Sequence, residues 1–337
     1  MLSRVAENVY WLARYLERAE NMARLVNVNA NLLLDLPPEY RPGWSALIDI
    51  TGSRVLFDAR DKRPEEREIV HFLIADLDNP GSMLSSLHSA RENARTLRDV
   101  LPTEVWEHMN ELFMEIKERL PEALSKRNRF QFLQRIVRGM QTLTGQLEGT
   151  MSRNDAFTLL MLGRNLERAD MTSRIIDVRS AQLLPTDAPG FQPFETIHWL
   201  NLLKSLSGYQ MYRSSQRTRV SRSAVLKFVL RDRQFPRACL FCLKEVEHYL
   251  QALPRSAEVL GSLGEACGFL ASAQPATLDQ PALHELLDRL QLHIIIVHEG
   301  IAQSYFPLRA GASGQSQLQF SGDERQKTPL YADAPSG

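Results

Sequence analysis

Leu12 to Val28 reads LARYLERAENMARLVNV, and Leu162 to Val178 reads LGRNLERADMTSRIIDV. Laid over one another without a gap, at an offset of 150, they share eight of seventeen residues. These are Leu12/Leu162, Arg14/Arg164, Leu16/Leu166, Glu17/Glu167, Arg18/Arg168, Ala19/Ala169, Arg24/Arg174 and Val28/Val178. Chance gives roughly one, so the stretch is used twice. With Leu12 at zero on a helical wheel, Leu16, Ala19, Ala23, Val26 and Ala30 fall within about 40° of it, a seam for burial against another helix. Arg14, Glu17, Asn21 and Arg24 lie opposite, while Arg18 falls among Trp11, Met22 and Leu25. Apolar neighbours on most of the circumference suit a central helix, so its charges are expected to be at least partly buried.

Buried charges need partners. Arg14 and Glu17 are spaced i,i+3 and Glu20 and Arg24 i,i+4, which allows pairing within the helix. Glu17 and Arg18 diverge by about 100° and cannot face each other. Each requires a partner on another element, and the other half of the chain is a candidate source. Two readings stay open. One is architectural, with ion pairs holding two long helices in register. The other is a polar pocket in which arginines hold a carboxylate or phosphate and Glu17 or Glu167 serves as acid or base.

Outward from the first copy, Ser3 can cap a helix running towards Leu34, and Pro37, Pro38, Pro42 and Gly43 end it. Trp44 to Ile50 is a short apolar segment, Glu65 to Ile74 a helix, and Asn79-Pro80-Gly81 a break before a restart at Ser82. Thr103 to Leu120 and Phe130 to Leu147 read as helices separated by Pro121. The second copy starts near Ser152 and stops at Pro185. Beyond it, KFVLRDRQFPRACLFCLKE aligns with HFLIADLDNPGSMLSSLHS at an offset of 156, and Glu299-Gly300 echoes Glu148-Gly149. With no β-alternation anywhere, the expected fold is all-α, a bundle of roughly ten to twelve helices built by internal duplication. The expected units are a first helical repeat over 1–150, a second over 151–309 packed with it as one domain, and a disordered tail over 310–337.

Composition excludes several classes. Lys+Arg and Asp+Glu are 40 each in 337 residues, so no global field draws nucleic acid or an anionic membrane. The apolar run Ile294 to Val297 is too short to span a bilayer, and Glu7, Arg14 and Glu17 interrupt any signal-peptide core. Three cysteines, Cys239, Cys242 and Cys267, leave one unpaired and point to a reducing compartment, with the cytoplasm the simplest address. Cys239-x-x-Cys242 has no second pair to complete a zinc site and reads as helical core, and His293 and His298 read as structural. No metal or cofactor is expected, since Walker, Rossmann, nucleophile-elbow and kinase motifs are all missing. Asp76 and Asp232, each four residues before a proline, suit capping or a ligand element. Arg91, Glu92 and Arg95 form a further charged cluster that the second half lacks, which favours them if there is a single site. Arg213 to Arg237 carries eight basic residues against one acid, a solvated face or a dock for an acidic partner.

MLSRVAENVYWLARYLERAENMARL, FLIADLDNPGSMLSSLHSARENAR and GRNLERADMTSRII, in this order, resemble the bacterial Alpha-E family over about residues 1 to 310. The resemblance implies a cytoplasmic, all-helical protein encoded beside, or fused to, a circularly permuted ATP-grasp protein, with transglutaminase-like peptidases as frequent neighbours. Such clusters imply synthesis and processing of a peptide or amide-linked tag, with no established reaction for this domain. The motif residues carried over are Arg14, Glu17, Arg18, Arg164, Glu167 and Arg168, and less firmly Asp76, Pro80, Ser82, Arg91, Glu92 and Arg95. The second half departs from the pattern at Arg237-Ala238, where the first has Gly81-Ser82, which disfavours two equivalent sites. The preferred expectation is a non-catalytic accessory protein of the ligase that binds or presents a peptide substrate. An acid/base enzyme of the same pathway, and a structural scaffold or homodimer, are the alternatives.

Overall fold

A computed structural model describes residues 2–35, 43–181, 192–216 and 219–306. Among them every regular element is an α-helix, and there are fourteen. The first seven are α1 (Ser3–Asp35), α2 (Ser45–Ile50), α3 (Arg54–Asp58), α4 (Glu66–Ile74), α5 (Met83–Thr96), α6 (Thr103–Leu124) and α7 (Arg129–Thr150). The rest are α8 (Asp155–Ala181), α9 (Gln192–Ser205), α10 (Tyr209–Gln216), α11 (Arg222–Arg231), α12 (Cys239–Leu250), α13 (Ala257–Ser272) and α14 (Gln280–Tyr305). The excess over the expected ten to twelve comes from one- and two-turn helices such as α2, α3 and α10, too short to show a helical period. The expected linkers after both long helices fall partly, and the expected tail over 310–337 wholly, outside the described residues.

Local chemistry sets the boundaries. The Ser82 hydroxyl accepts from Ser85 N at 3.1 Å and opens α5, as the Asn-Pro-Gly break predicts. Asn154 Oδ1 accepts from Ala156 N and Phe157 N at 3.0 and 3.2 Å, so α8 begins after this cap, three residues beyond the expected start. Asp279 caps α14 in the same way, with a proline in its first turn. Pro121 does not end α6, which continues to Leu124. The missing N–H removes a single bond one turn from the helix end, and the chain breaks only at Ser125.

Helices α1 and α8 lie side by side and parallel at the centre. Near their N-termini Gly163 meets Tyr10, and towards their C-termini Arg179 Nη2 donates to Asn29 Oδ1 at 3.1 Å. Gly163 permits this closeness, because a Cβ there would stand 2.3 Å from the Tyr10 carbonyl oxygen. α5 and α7 pack on α1, and α12 and α14 pack on α8. α6 joins α5 to α7, and α13 joins α12 to α14. The Leu12/Leu16/Ala19/Ala23/Val26 seam is buried, together with Trp11, Tyr15, Met22 and Leu25 on other faces. Both long helices are therefore enclosed along most of their length, and Arg14, Glu17, Glu20, Glu167, Arg168 and Asp170 are buried.

Candidate functional site

The motif residues of one central helix pair with those of the other. Glu167, 1% exposed, accepts from Arg14 Nε at 2.7 Å and Arg18 Nη2 at 2.9 Å through Oε2, and from Arg18 Nε at 2.6 Å through Oε1. Reciprocally, Glu17 Oε2 accepts from Arg168 Nε at 2.8 Å, with Arg164 Nε 3.8 Å from the same oxygen. Glu and Arg adjacent in sequence point about 100° apart, so each bridges to the opposite sign on the facing helix. One turn on, Glu20 takes Arg24 at 2.6 Å and Asp170 takes Arg174 at 3.0 Å, both i,i+4. The i,i+3 pairing of Arg14 with Glu17 does not form, because Arg14 is engaged across the interface.

The two halves differ in what completes them. Around Glu17 a third guanidinium enters from the start of α12: Arg237 Nη1 donates to Glu17 Oε1 at 2.6 Å and to Asn21 Oδ1 at 2.8 Å, and Nη2 to Glu20 at 3.0 Å. In the alignment of the halves Arg237 stands opposite Gly81, so the Glu167 side lacks this cation. There, Tyr10 and His298 fill the space beside Arg14. The Tyr10 hydroxyl lies 2.7 Å from His298 Nδ1, and Arg14 Nη1 lies 3.2 Å from the same nitrogen. Arg14 also stacks over Trp11 at 5.1 Å.

Electrostatics lock these groups in one protonation state. Burial alone would push Glu17 up, but Arg168, Arg237 and Arg164 bring it down to about 2. Glu167 is likewise raised by burial and brought down to about 2 by Arg18 and Arg14. Burial lowers Arg14, but Glu167 outweighs it and the net shift is upward. Arg168 moves downward, because burial and the like charges of Arg237 and Arg164 exceed the pull of Glu17. His298 is held neutral, well below its ordinary range, by burial and by Arg14. Neither glutamate has a protonation change near neutrality to offer a reaction.

The ion pairs of the central helices thus fall into a cluster of Arg14, Arg18 and Glu167, a second of Glu17, Glu20, Arg24, Arg164, Arg168 and Arg237, and a separate Asp170–Arg174 pair. Arg91, Glu92, Arg95 and Asp76 bond away from these clusters. α5 turns Leu84, Leu87, Ala90 and Ala94 inward, leaving Arg91 to bond Asn110 on α6 at 2.8 Å and Arg95 to pair with Glu92 at 2.9 Å. Asp76 pairs with Arg60 and accepts from Asp78 N at 2.9 Å, a turn that sets up α5. Asp232 performs the same turn role for Gln234 N and Phe235 N. The residue missed from the sequence is Arg237, signalled only by its place at the end of a basic run and by standing where the first half has Gly81. Cys239 and Cys242 are buried, bonded to the Ala169 and Pro236 carbonyls and pushed up by burial, Cys242 to about 12. Among the described residues one metal-compatible cluster, Asp177, His284 and Asp288, lies apart, with the two imidazole nitrogens 2.7 and 3.5 Å from the two carboxylates.

One family model, described as a predicted alpha-helical domain with a conserved ER motif, matches residues 1–306. The chain belongs to the Alpha-E family. Similar proteins are an uncharacterised protein of Mycobacterium bovis and one of Mycobacterium tuberculosis, each 26% identical over 271 residues. The match covers 75% of this Alpha-E chain but 30% of theirs, so the chain spans less than a third of the length of these curated relatives. No solved structure gives a significant match. Among the described residues no helix is long and apolar enough to cross a membrane.

Proposed function

We propose that this Alpha-E chain is a non-catalytic helical accessory module, working beside a circularly permuted ATP-grasp amide ligase and a transglutaminase-like peptidase, and binding or presenting their peptide substrate. The observation that carries the non-catalytic part is the state of the motif carboxylates, each enclosed by arginines and ionised far below neutrality. A general acid or base works best with a pKa near the working pH, and Glu17 and Glu167 are held far below it. Relatives in which the matching region is 30% of a longer chain are consistent with a module that acts next to other domains. Three buried free thiols favour a cytoplasmic setting.

We also read residues 1–150 and 151–309 as copies of one unit. The support is a common order of helices and packing partners, with the Glu17–Arg168 and Glu167–Arg18 pairs exchanged between them. The accessory role is tested by co-expressing the chain with the ATP-grasp protein of its own gene cluster. Co-elution at micromolar concentration and a change in ligase turnover are expected. Separate elution with unchanged turnover overturns the role.

A further inference from the structure

Charge is spread unevenly over a chain whose total is zero. From Lys204 to Arg233 there are eight lysines and arginines against one acid, Asp232, so the rest of the chain holds an excess of seven acids. The segment spans the end of α9, then α10 and α11, which pack on one another. Its apolar residues Tyr212, Val225, Leu226 and Phe228 turn into the core. Lys204, Arg213, Arg219, Lys227 and Arg233 are left exposed, and among the described residues none of the five forms an ion pair. The Oδ1 of Asp232 is turned to the backbone, accepting from Gln234 N and Phe235 N at 2.8 Å.

The matching stretch of the first half is neutralised. At the offset of 156, Glu66 stands where the second half has Arg222, Ala75 where it has Arg231, and Leu77 where it has Arg233. There Lys62 pairs with Glu68 at 2.6 Å, and Lys126 and Arg129 both pair with Glu66 at 2.8 Å. The basic character therefore belongs to the second half and not to the repeated pattern. Two arginines of the stretch serve the fold. Arg231 donates to the Ala273 and Ala271 carbonyls at 2.8 and 2.7 Å, at the end of α13, and Arg222 is within electrostatic reach of Glu195 and Asp279. The five exposed cations have no such task, and neighbouring like charges repel until a counter-charge arrives.

We propose that this face of α9, α10 and α11 binds a short acidic peptide segment, a run of glutamate or aspartate residues. Three of the five cations are arginines, whose planar forks match carboxylates, and several together make up for the weakness of each exposed pair. The excess of acids on the rest of the chain repels a polyanion that extends past the patch, as a nucleic acid duplex or an anionic bilayer does. Tyr212 and Phe228 are buried, and Tyr209 is half-buried beneath the Arg213 guanidinium at 5.9 Å, so no ring offers an open platform for a base. The peptide chemistry rests on the accessory role proposed above and names the class of peptide. Binding is read on the isolated chain, so a failure to co-elute with the ligase strikes that role alone, and a failure to bind an acidic peptide strikes this face alone.

The test is fluorescence anisotropy of fluorescein-labelled hexaglutamate titrated with the full chain at low salt, with labelled hexaglutamine and oligothymidine alongside. Saturable binding of hexaglutamate, none of hexaglutamine and weaker binding of oligothymidine are expected, with the affinity falling as salt rises. Arg213→Gln and Lys227→Gln should each weaken hexaglutamate about 1.5-fold to fivefold, the range of one exposed ion pair. Lys62→Gln with Lys126→Gln removes two exposed cations from the first half and should leave the affinity unchanged. All four are surface changes, and unchanged melting temperatures check that the fold is kept. No saturable binding of hexaglutamate, oligothymidine bound as tightly, co-sedimentation with phosphatidylglycerol vesicles, or an equal loss in the Lys62→Gln, Lys126→Gln protein overturns the proposal.

Discussion

Replacing Glu167 by glutamine keeps the shape of the side chain and removes its charge. The carboxylate is 1% exposed and takes three hydrogen bonds from Arg14 and Arg18. Glutamine turns an amide N–H₂, itself a donor, towards a guanidinium. Tyr10 and His298, which Arg14 also touches, are neutral and offset little of the lost attraction. Breaking one partner of a buried ion pair costs about 3–5 kcal/mol. In a chain of this length 1 kcal/mol moves the melting temperature by about 2 °C, so Glu167→Gln should melt about 6–10 °C lower. Urea unfolding should move its midpoint with an unchanged slope, since the surface exposed on unfolding is the same. Adding Arg18→Met removes one of the two stranded cations and should recover part of the loss. A loss below about 1 kcal/mol in Glu167→Gln refutes the architectural account of the motif. Retained stability with lost co-elution of the ligase would instead move the motif from architecture to recognition.

Stability should fall in two stages on acidification. His198, lowered to about 4 by burial and by Arg179, and His298, held well below its ordinary range by burial and by Arg14, stay neutral in the fold. The unfolded chain takes up protons at these histidines below their ordinary value of 6.5, so stability declines from there downward. Glu17 and Glu167 are depressed from 4.5 to about 2, so their contribution is complete above 4.5 and disappears as pH falls towards 2. Melting temperatures that stay flat from pH 7 to 5 would contradict the first stage. Two glycines give opposite outcomes. Gly163→Ala forces a Cβ to 2.3 Å from the Tyr10 carbonyl and should destabilise by at least about 1–3 kcal/mol, as overpacking does. Gly145→Ala meets nothing within 4 Å on an exposed helix face and should stabilise by about 1 kcal/mol in the same urea titration.

Much of the candidate site was legible before any fold was known. The eight shared positions placed Arg14, Glu17, Arg18 and their copies on two long helices, and the wheel made self-pairing of Glu17 with Arg18 geometrically impossible. Burial then demanded partners from outside. The extra arginine was not legible, because Arg237 stands 220 residues from Glu17 and its repeat counterpart is a glycine. Arg91, Glu92 and Arg95 lie away from these ion pairs for the converse reason: their composition matches the motif, but α5 buries Leu84, Leu87, Ala90 and Ala94 instead.

The sequence by itself determined the long helices, the Ser82 start of α5, and that the repeated charges would be at least partly enclosed, since periodicity and capping are local properties. Only the tertiary structure decided that the two long helices run parallel at the closeness Gly163 allows, so that each glutamate meets the arginines of the other copy. It also decided that Tyr10 and His298 fill the space beside Arg14 while Arg237 enters beside Glu17. These outcomes depend on contacts between residues about 150 or more positions apart, which no local pattern encodes.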